Sequence, residues 1–252
     1  MQQTIILCIA VAIAILLLFM RCGSTGSGYE TLKTVHVCHK SITSFEKYAR
    51  RWKELNSEYE LALYDDSMCR SFLADNFSAE HAEIFDFLVD GPIKADFWRL
   101  AIVYAKGGVY ADADIEPLVP LRTYLDIECD FGTCVIDYIH NMGAQARSNY
   151  NAHFLFGKAH NAVVGKCLEI YLQKYRSGEK YDYDSWSINP VLFEVLKPYN
   201  FGEEGIFHVD GMRIQLLKNV YQDGLVNEHA QYKGVRVLNN RYATYRNHQF
   251  QD

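Results

Sequence analysis

The sequence predicts an α/β fold, a Rossmann-like mixed sheet flanked by helices, behind an N-terminal transmembrane helix. Three stretches predict it: Thr34–Asp66 reads as strand, helix, strand; Gly91–Leu118 reads as helix, tight turn, strand and acidic exit; Thr4–Met20 is unbroken apolar sequence. A strand–helix–strand unit of this length implies a parallel pair with a right-handed crossover. Ligands of such sheets lie at the carboxyl ends of the strands.

The apolar run holds about 17 residues, near the lower limit for a bilayer-spanning helix. No basic segment precedes it and it outruns the usual signal-peptide core, so an uncleaved anchor is expected over residues 1–21. The leading MQQ carries no basic side chain while Arg21 follows the run, a bias against a lumenal carboxyl-terminal domain. Residues 22–30, CGSTGSGYE, form a short Gly/Ser linker, leaving 31–252 as the globular domain. The net charge of −6 excludes a general nucleic-acid binder, which carries basic stripes. Seven cysteines show no C-x-x-C pair or zinc spacing and read as buried free thiols. Asn76-Phe77-Ser78 is a glycosylation sequon, usable only on a lumenal domain.

Within the domain, Thr34–Cys38 is a buried opening strand. A helix follows, with a capping box at Thr43 and Glu46 and a stripe of Phe45, Tyr48, Trp52 and Leu55. Glu58–Tyr64 alternates as a second strand ending at Asp65-Asp66. Ser78 can cap a helix carrying Ile84, Phe85 and Leu88. Pro92 fits the first turn of the next helix, whose stripe is Ile93, Phe97, Leu100, Ala101 and Tyr104, and Lys106-Gly107-Gly108 ends it. From Val109 the strand period sends Val109, Ala111, Ala113 and Ile115 to one face and Tyr110, Asp112 and Asp114 to the other. Phe131–Ile136 and Phe154–Phe156 are short strands, Asn161–Ser177 is a helix, and Asn189-Pro190 starts another.

Two carboxylates on one surface repel unless a cation lies between them, and hard divalent ions such as Mn²⁺ or Mg²⁺ prefer oxygen ligands. Asp112 and Asp114 are therefore a candidate metal site, against the alternative of a solvated turn. Asp96 and Arg99, three apart on the preceding helix, share a face toward them; as an ordinary surface pair they would contribute about 0.2–0.5 kcal/mol.

The order A-D-x-x-R, G-G-x-Y, D-x-D-x-x-P-L resembles the DXD-containing sugar-transferase family. That family includes fungal outer-chain-initiating mannosyltransferases and inositol-phosphoceramide mannosyltransferases, with glucosylating bacterial toxins as distant relatives. The likeness extends more loosely from Thr34 to about Phe193. It implies a GT-A-like nucleotide-diphospho-sugar transferase fold and a retaining transfer of a hexose, mannose favoured, from GDP-mannose or a UDP-hexose to a glycan or glycolipid. It also implies a Golgi or ER lumen-facing type II topology, which opposes the charge bias around the anchor. By the same likeness Asp96 and Arg99 contact the donor sugar and diphosphate, Tyr110 packs on the ribose, and His248 in the tail completes the metal shell of Asp112 and Asp114. The chain departs from the family at Asn189-Pro190, where Gly-Pro is usual, and in a tail without the Ser-Trp pair. Two rivals stand: a non-catalytic membrane-tethered sugar-binding relative, and a DxD phosphohydrolase of the haloacid-dehalogenase type. The second wants Thr or Val where this chain has Glu116.

Overall fold

The computed structural model describes residues 33–136, 150–221 and 228–241. The expected anchor and linker over 1–30 and the tail residue His248 lie outside them. Among the described residues, no helix is long and apolar enough to cross a membrane.

β1 (Thr34–Cys38) and β2 (Glu60–Tyr64) pair in parallel across α1 (Ile42–Leu55), as the crossover reading requires. Ser41 occupies the cap position of α1, so the helix starts ahead of the expected capping box and Thr43 lies inside its first turn. Trp52 is buried, whereas the side chains of 44–48, with Phe45, Glu46 and Tyr48, lie outside the described residues. Asp65 caps α2 (Asp66–Asn76), an element absent from the sequence reading, by accepting the Met68 N–H at 2.8 Å.

After α3 (Ala79–Phe87), Asp90 leads into α4 (Gly91–Lys106), with Pro92 in its first turn. Gly107 (φ 68°) and Gly108 (φ 99°) then reverse the chain into β3 (Gly108–Ala111), parallel to β1. Gly108 is required here twice over: its φ suits glycine, and a Cβ would lie 2.7 Å from the Thr34 carbonyl and 3.0 Å from His36 Nε2.

The expected continuous strand from Val109 to Ile115 is broken. The Ile115 N–H donates to the Asp112 carbonyl at 3.0 Å, closing a turn, and β4 (Ile115–Pro117) leaves β3 to pair antiparallel with a strand at the other end of the sheet. Asp112 and Asp114 therefore sit on a loop between strands. The expected alternation nonetheless carries across the break, since Val109, Ala111 and Ile115 enter one apolar core with Ala113 packed against it, and Tyr110 enters the other.

β5 (Phe131–Ile136) matches its expected bounds and β6 (Tyr150–Gly157) extends the expected short strand. α5 (Ala162–Arg176) is capped by Asn161, whose Oδ1 accepts the Val164 N–H; the short α6 (Tyr183–Trp186) and α7 (Ile188–Leu196) follow. β7 (Gly205–Val209), β8 (Met212–Val220), β9 (His229–Tyr232) and β10 (Val235–Asn240) complete the elements. Among the described residues, ten strands form one mixed sheet in the order β2-β1-β3-β6-β5-β8-β9-β10-β4, with β7 beside β8. One core lies between the sheet and α2 to α5 and α7; the other lies on the opposite face under α1. Trp52 of α1 reaches across the second core to donate Nε1–H to the Ile115 carbonyl at 3.2 Å, pinning the exit of the aspartate loop. Among the described cysteines, Cys69, Cys129, Cys134 and Cys167 are buried free thiols and Cys38 is a partly buried one.

Candidate active site at the end of β3

The site is built where α4, the aspartate loop and the start of β6 meet. α4 is buried through Asp96–Val103, because it runs under both the sheet and its neighbouring helices, so the two charged residues of that stretch go inside with it. Arg99 is 4% exposed and Asp96 8% exposed. Arg99 Nη2 lies 2.8 Å from Asp96 Oδ1 and 2.9 Å from Asp112 Oδ1, while Nη1 donates to the Ala152 carbonyl at 2.5 Å and Nε to the Ala95 carbonyl at 3.2 Å. The guanidinium also stacks on the Tyr110 ring, 4.7 Å from its centre. This is a buried network rather than the exposed i,i+3 pair of a few tenths of a kcal/mol that spacing alone suggests. In such a network, removing one partner strands the other's charge, which costs about 3–5 kcal/mol.

Each member is oriented by a second bond. Asp96 Oδ2 accepts the Ile188 N–H at 2.9 Å, so Asp96 satisfies an otherwise unpaired donor at the start of α7 and meets the positive end of its dipole. Burial nonetheless raises the Asp96 carboxyl to about 6, against the lowering effect of Arg99. Burial alone would depress Arg99; Asp112, Tyr110 and Asp96 more than offset this and raise it. The Tyr110 hydroxyl donates to Asp112 Oδ1 at 2.8 Å and meets Cys38 Sγ at 3.5 Å. Tyr110, expected to pack on a ribose, has no exposed surface, and the Arg99 guanidinium lies over its ring. The Asp112 N–H donates to the His153 carbonyl at 2.8 Å.

Asp114, two residues on, is partly exposed, and no described side chain forms an ion pair with it. Burial and the adjacent Asp112 charge raise its carboxyl to about 7. Two hard oxygen donors on one loop, the second in no described ion pair and with the His153 ring opposing its raised pKa, suit Mn²⁺ or Mg²⁺, which is commonly held by one or two carboxylates together with substrate phosphates. Among the described residues, no group of three or more His, Cys, Asp and Glu could hold a metal by itself. The structure thus brings together Asp96, Arg99, Tyr110, Asp112 and Asp114, while the third expected ligand, His248, lies outside the described residues.

Sequence reasoning missed the start of β6. Ala152 and His153 contribute carbonyls that hold Arg99 and Asp112, and a backbone contact leaves no residue-type signal to read.

Residues 43–131 match the family described as the glycosyltransferase sugar-binding region containing a DXD motif, the family that the A-D-x-x-R and D-x-D motifs resemble. The chain is 30% identical over 81 residues to the initiation-specific alpha-1,6-mannosyltransferase of Candida albicans, covering 31% of this chain and 21% of that protein. It is 35% identical over 78 residues to an uncharacterised glycosyltransferase of Acanthamoeba polyphaga mimivirus, covering 31% of each. Both matches span under a third of the relative's length. A solved structure, the PaToxG glycosyltransferase, is similar with a TM-score of 0.48 at 14% identity, over 68% of this chain and 70% of that one.

Proposed function

We propose that the protein is a glycosyltransferase of GT-A-like fold that moves a hexose, mannose by preference, from a nucleotide-sugar to a glycan or glycolipid acceptor, with retention and with a divalent ion. The observation that carries this reading is the Asp96–Arg99–Asp112 network opening onto the partly exposed Asp114 at the end of a parallel strand. The match of residues 43–131 to a DXD sugar-binding region supports it.

In this reading Asp112 and Asp114 hold the ion, Mn²⁺ or Mg²⁺, together with the donor's phosphates, and His248 is available as a further ligand. When bound, the ion neutralises charge on the diphosphate as the glycosidic bond breaks. Arg99 adds a fixed positive charge behind Asp112, in surroundings dry enough to strengthen it. Asp96, held by Arg99 and the Ile188 N–H, is the acid assigned to the donor sugar. Tyr110 restricts the rotamer of Asp112. The apolar run at Thr4–Met20 anchors the enzyme as a type II protein of the Golgi or ER lumen, and tethering to a membrane favours a membrane-associated acceptor.

The deciding experiment offers the full-length protein GDP-mannose and a set of UDP-hexoses with and without Mn²⁺, following both hydrolysis and transfer to glycan and glycolipid acceptors. Mn²⁺-dependent turnover of one donor is expected. Donor binding without hydrolysis or transfer would instead favour a sugar-binding protein.

A further inference from the structure

The far half of the sheet brings a buried carboxylate up to the aspartate loop that the proposed chemistry leaves unused. Glu228, 7% exposed, immediately precedes β9. Its Oε1 accepts the side-chain amides of Asn151 on β6 at 2.7 Å and Asn219 on β8 at 2.8 Å, and its Oε2 accepts that of Asn240 on β10 at 2.7 Å. Its backbone carbonyl takes the Asn240 N–H at 3.1 Å, and His153 Nδ1 lies 3.6 Å from Oε1. One side chain therefore ties together three strands that are distant in sequence. Burial alone would raise the Glu228 carboxyl; the nearby His153 ring and the bond from Asn219 more than offset this and lower it. Bonds to an ionised acceptor are the stronger kind.

The residues so tied are neighbours of those that hold the aspartate loop by its backbone. On the β6 side, Asn151 precedes Ala152, whose carbonyl receives Arg99, and His153, whose carbonyl receives the Asp112 N–H at 2.8 Å. Asn151 Oδ1 also accepts the His153 N–H at 3.2 Å, bracing this turn of chain. On the β10 side, Asn240 precedes Arg241, whose N–H donates to the Asp114 carbonyl at 2.8 Å and whose guanidinium grips Glu116. Asp112 thus rests on the start of β6 and Asp114 on the end of β10, and Glu228 joins those two supports.

We propose that Glu228 is the positioning residue of the paired aspartates: by binding Asn151 and Asn240 with one carboxylate, it sets the distance and angle between Asp112 and Asp114. The inference deepens the metal-binding reading of those aspartates and rests on it. A carboxylate that merely fastened strands would change stability when altered. One that positions the loop changes how the two aspartates engage an ion and how firmly the Asp112 amide is held.

The test uses the full chain and Glu228→Gln, which keeps the side chain's size but replaces one acceptor oxygen by a donor facing other donors. Mn²⁺ is titrated in the presence of GDP or, in a separate arm, UDP, and free Mn²⁺ is read by electron paramagnetic resonance. Amide exchange over Tyr110–Asp114 is followed by mass spectrometry without metal. Loss of an outer support to a metal site weakens affinity by about 10–100-fold. A fall within that range is expected, together with faster exchange at the Asp112 amide. Asn240→Ala, which removes one link at a partly exposed position, should shift both readouts in the same direction by less, and decides the matter if Glu228→Gln does not fold. Folded variants with wild-type Mn²⁺ affinity and wild-type exchange would overturn the inference. Absence of Mn²⁺ binding by the wild type in both arms would overturn the metal reading itself, and exchange would then decide the positioning role alone.

Discussion

Arg99 Nη2 lies 2.9 Å from Asp112 Oδ1, so a guanidinium side chain only 5% exposed is brought from the middle of a buried helix against the first aspartate of the D-x-D loop. Replacing it strands two carboxylates, Asp96 and Asp112, at once. Arg99→Ala is therefore expected to lose about 3–5 kcal/mol of stability in urea denaturation, along with donor turnover. Arg99→Lys keeps the charge, but a single ammonium cannot reach Asp96, Asp112 and the Ala152 carbonyl from one planar fork, so an intermediate loss is expected in both measurements. Wild-type stability and turnover in Arg99→Lys would show that the fork geometry is dispensable.

The two aspartates should separate under the same substitution. Asp112 accepts from Tyr110 and balances Arg99, whereas no described side chain forms an ion pair with Asp114. Because burial and Asp112 raise the Asp114 carboxyl to about 7, its charge works against folding near neutral pH; Asp114→Asn is expected to be at least as stable as the wild type and to lose Mn²⁺-dependent turnover. Asp112→Asn should lose both, because it leaves Arg99 with Asp96 alone. Thermal melts beside donor hydrolysis check this, and equal stabilities for the two variants would contradict the assignment of Asp112 to the network.

How much of this was legible in the sequence follows from which interactions leave a periodic trace. The β1–α1–β2 crossover, α4 with Pro92 at its start, and the Gly107-Gly108 reversal were readable, because apolar spacing and special backbone angles dictate residue type. The grouping of Asp96, Arg99, Tyr110 and Asp112 was readable for the same reason. The burial of Asp96 and Arg99 was not, since a charged pair three apart looks alike on a surface and inside a core. The break after Ala111 was also hidden: Ala113 and Ile115 continue the alternation, and only the Asp112–Ile115 turn and the antiparallel pairing of β4 with β10 end the strand. β7 to β10, and with them Glu228, depended on pairings between distant segments that local pattern does not encode.

The glycine turn gives a test that distinguishes close packing from helix capping. A helix end needs a residue tolerant of positive φ, which Gly107 supplies; Gly108 must in addition let β3 approach β1, with its Cα hydrogen facing the Thr34 carbonyl. Gly108→Ala is expected to destabilise the fold by about 1–3 kcal/mol, from positive φ and the enforced shift of β1. If denaturation midpoints show a change no larger than at Gly178, which has open space and a φ of 72°, the close-approach account fails.

His36, 3% exposed beneath that same turn, gives the pH dependence. Its Nε2–H donates to the Gly107 carbonyl at 3.2 Å and its Nδ1 accepts the Tyr64 hydroxyl at 3.3 Å, an arrangement that requires the neutral ring. Burial lowers its pKa from 6.5 to about 4, with the Gly107 bond opposing and Lys106 adding to the effect. The folded state thus resists a proton that the unfolded chain accepts. The stability held this way is fully present above pH 6.5 and is lost as the pH falls through the window from 6.5 to 4, with a full size on the order of 3 kcal/mol. His39 and His81 are also lowered by burial and add to the same slope, so the comparison must isolate His36. Glutamine suits the purpose: its amide can donate to Gly107, its oxygen can accept from Tyr64, and it does not titrate. Urea denaturation at intervals from pH 7 to pH 4 is expected to show the wild type losing stability faster than His36→Gln, the gap widening below pH 6.5. Parallel curves for the two proteins would mean that His36 titrates alike in the folded and unfolded chain.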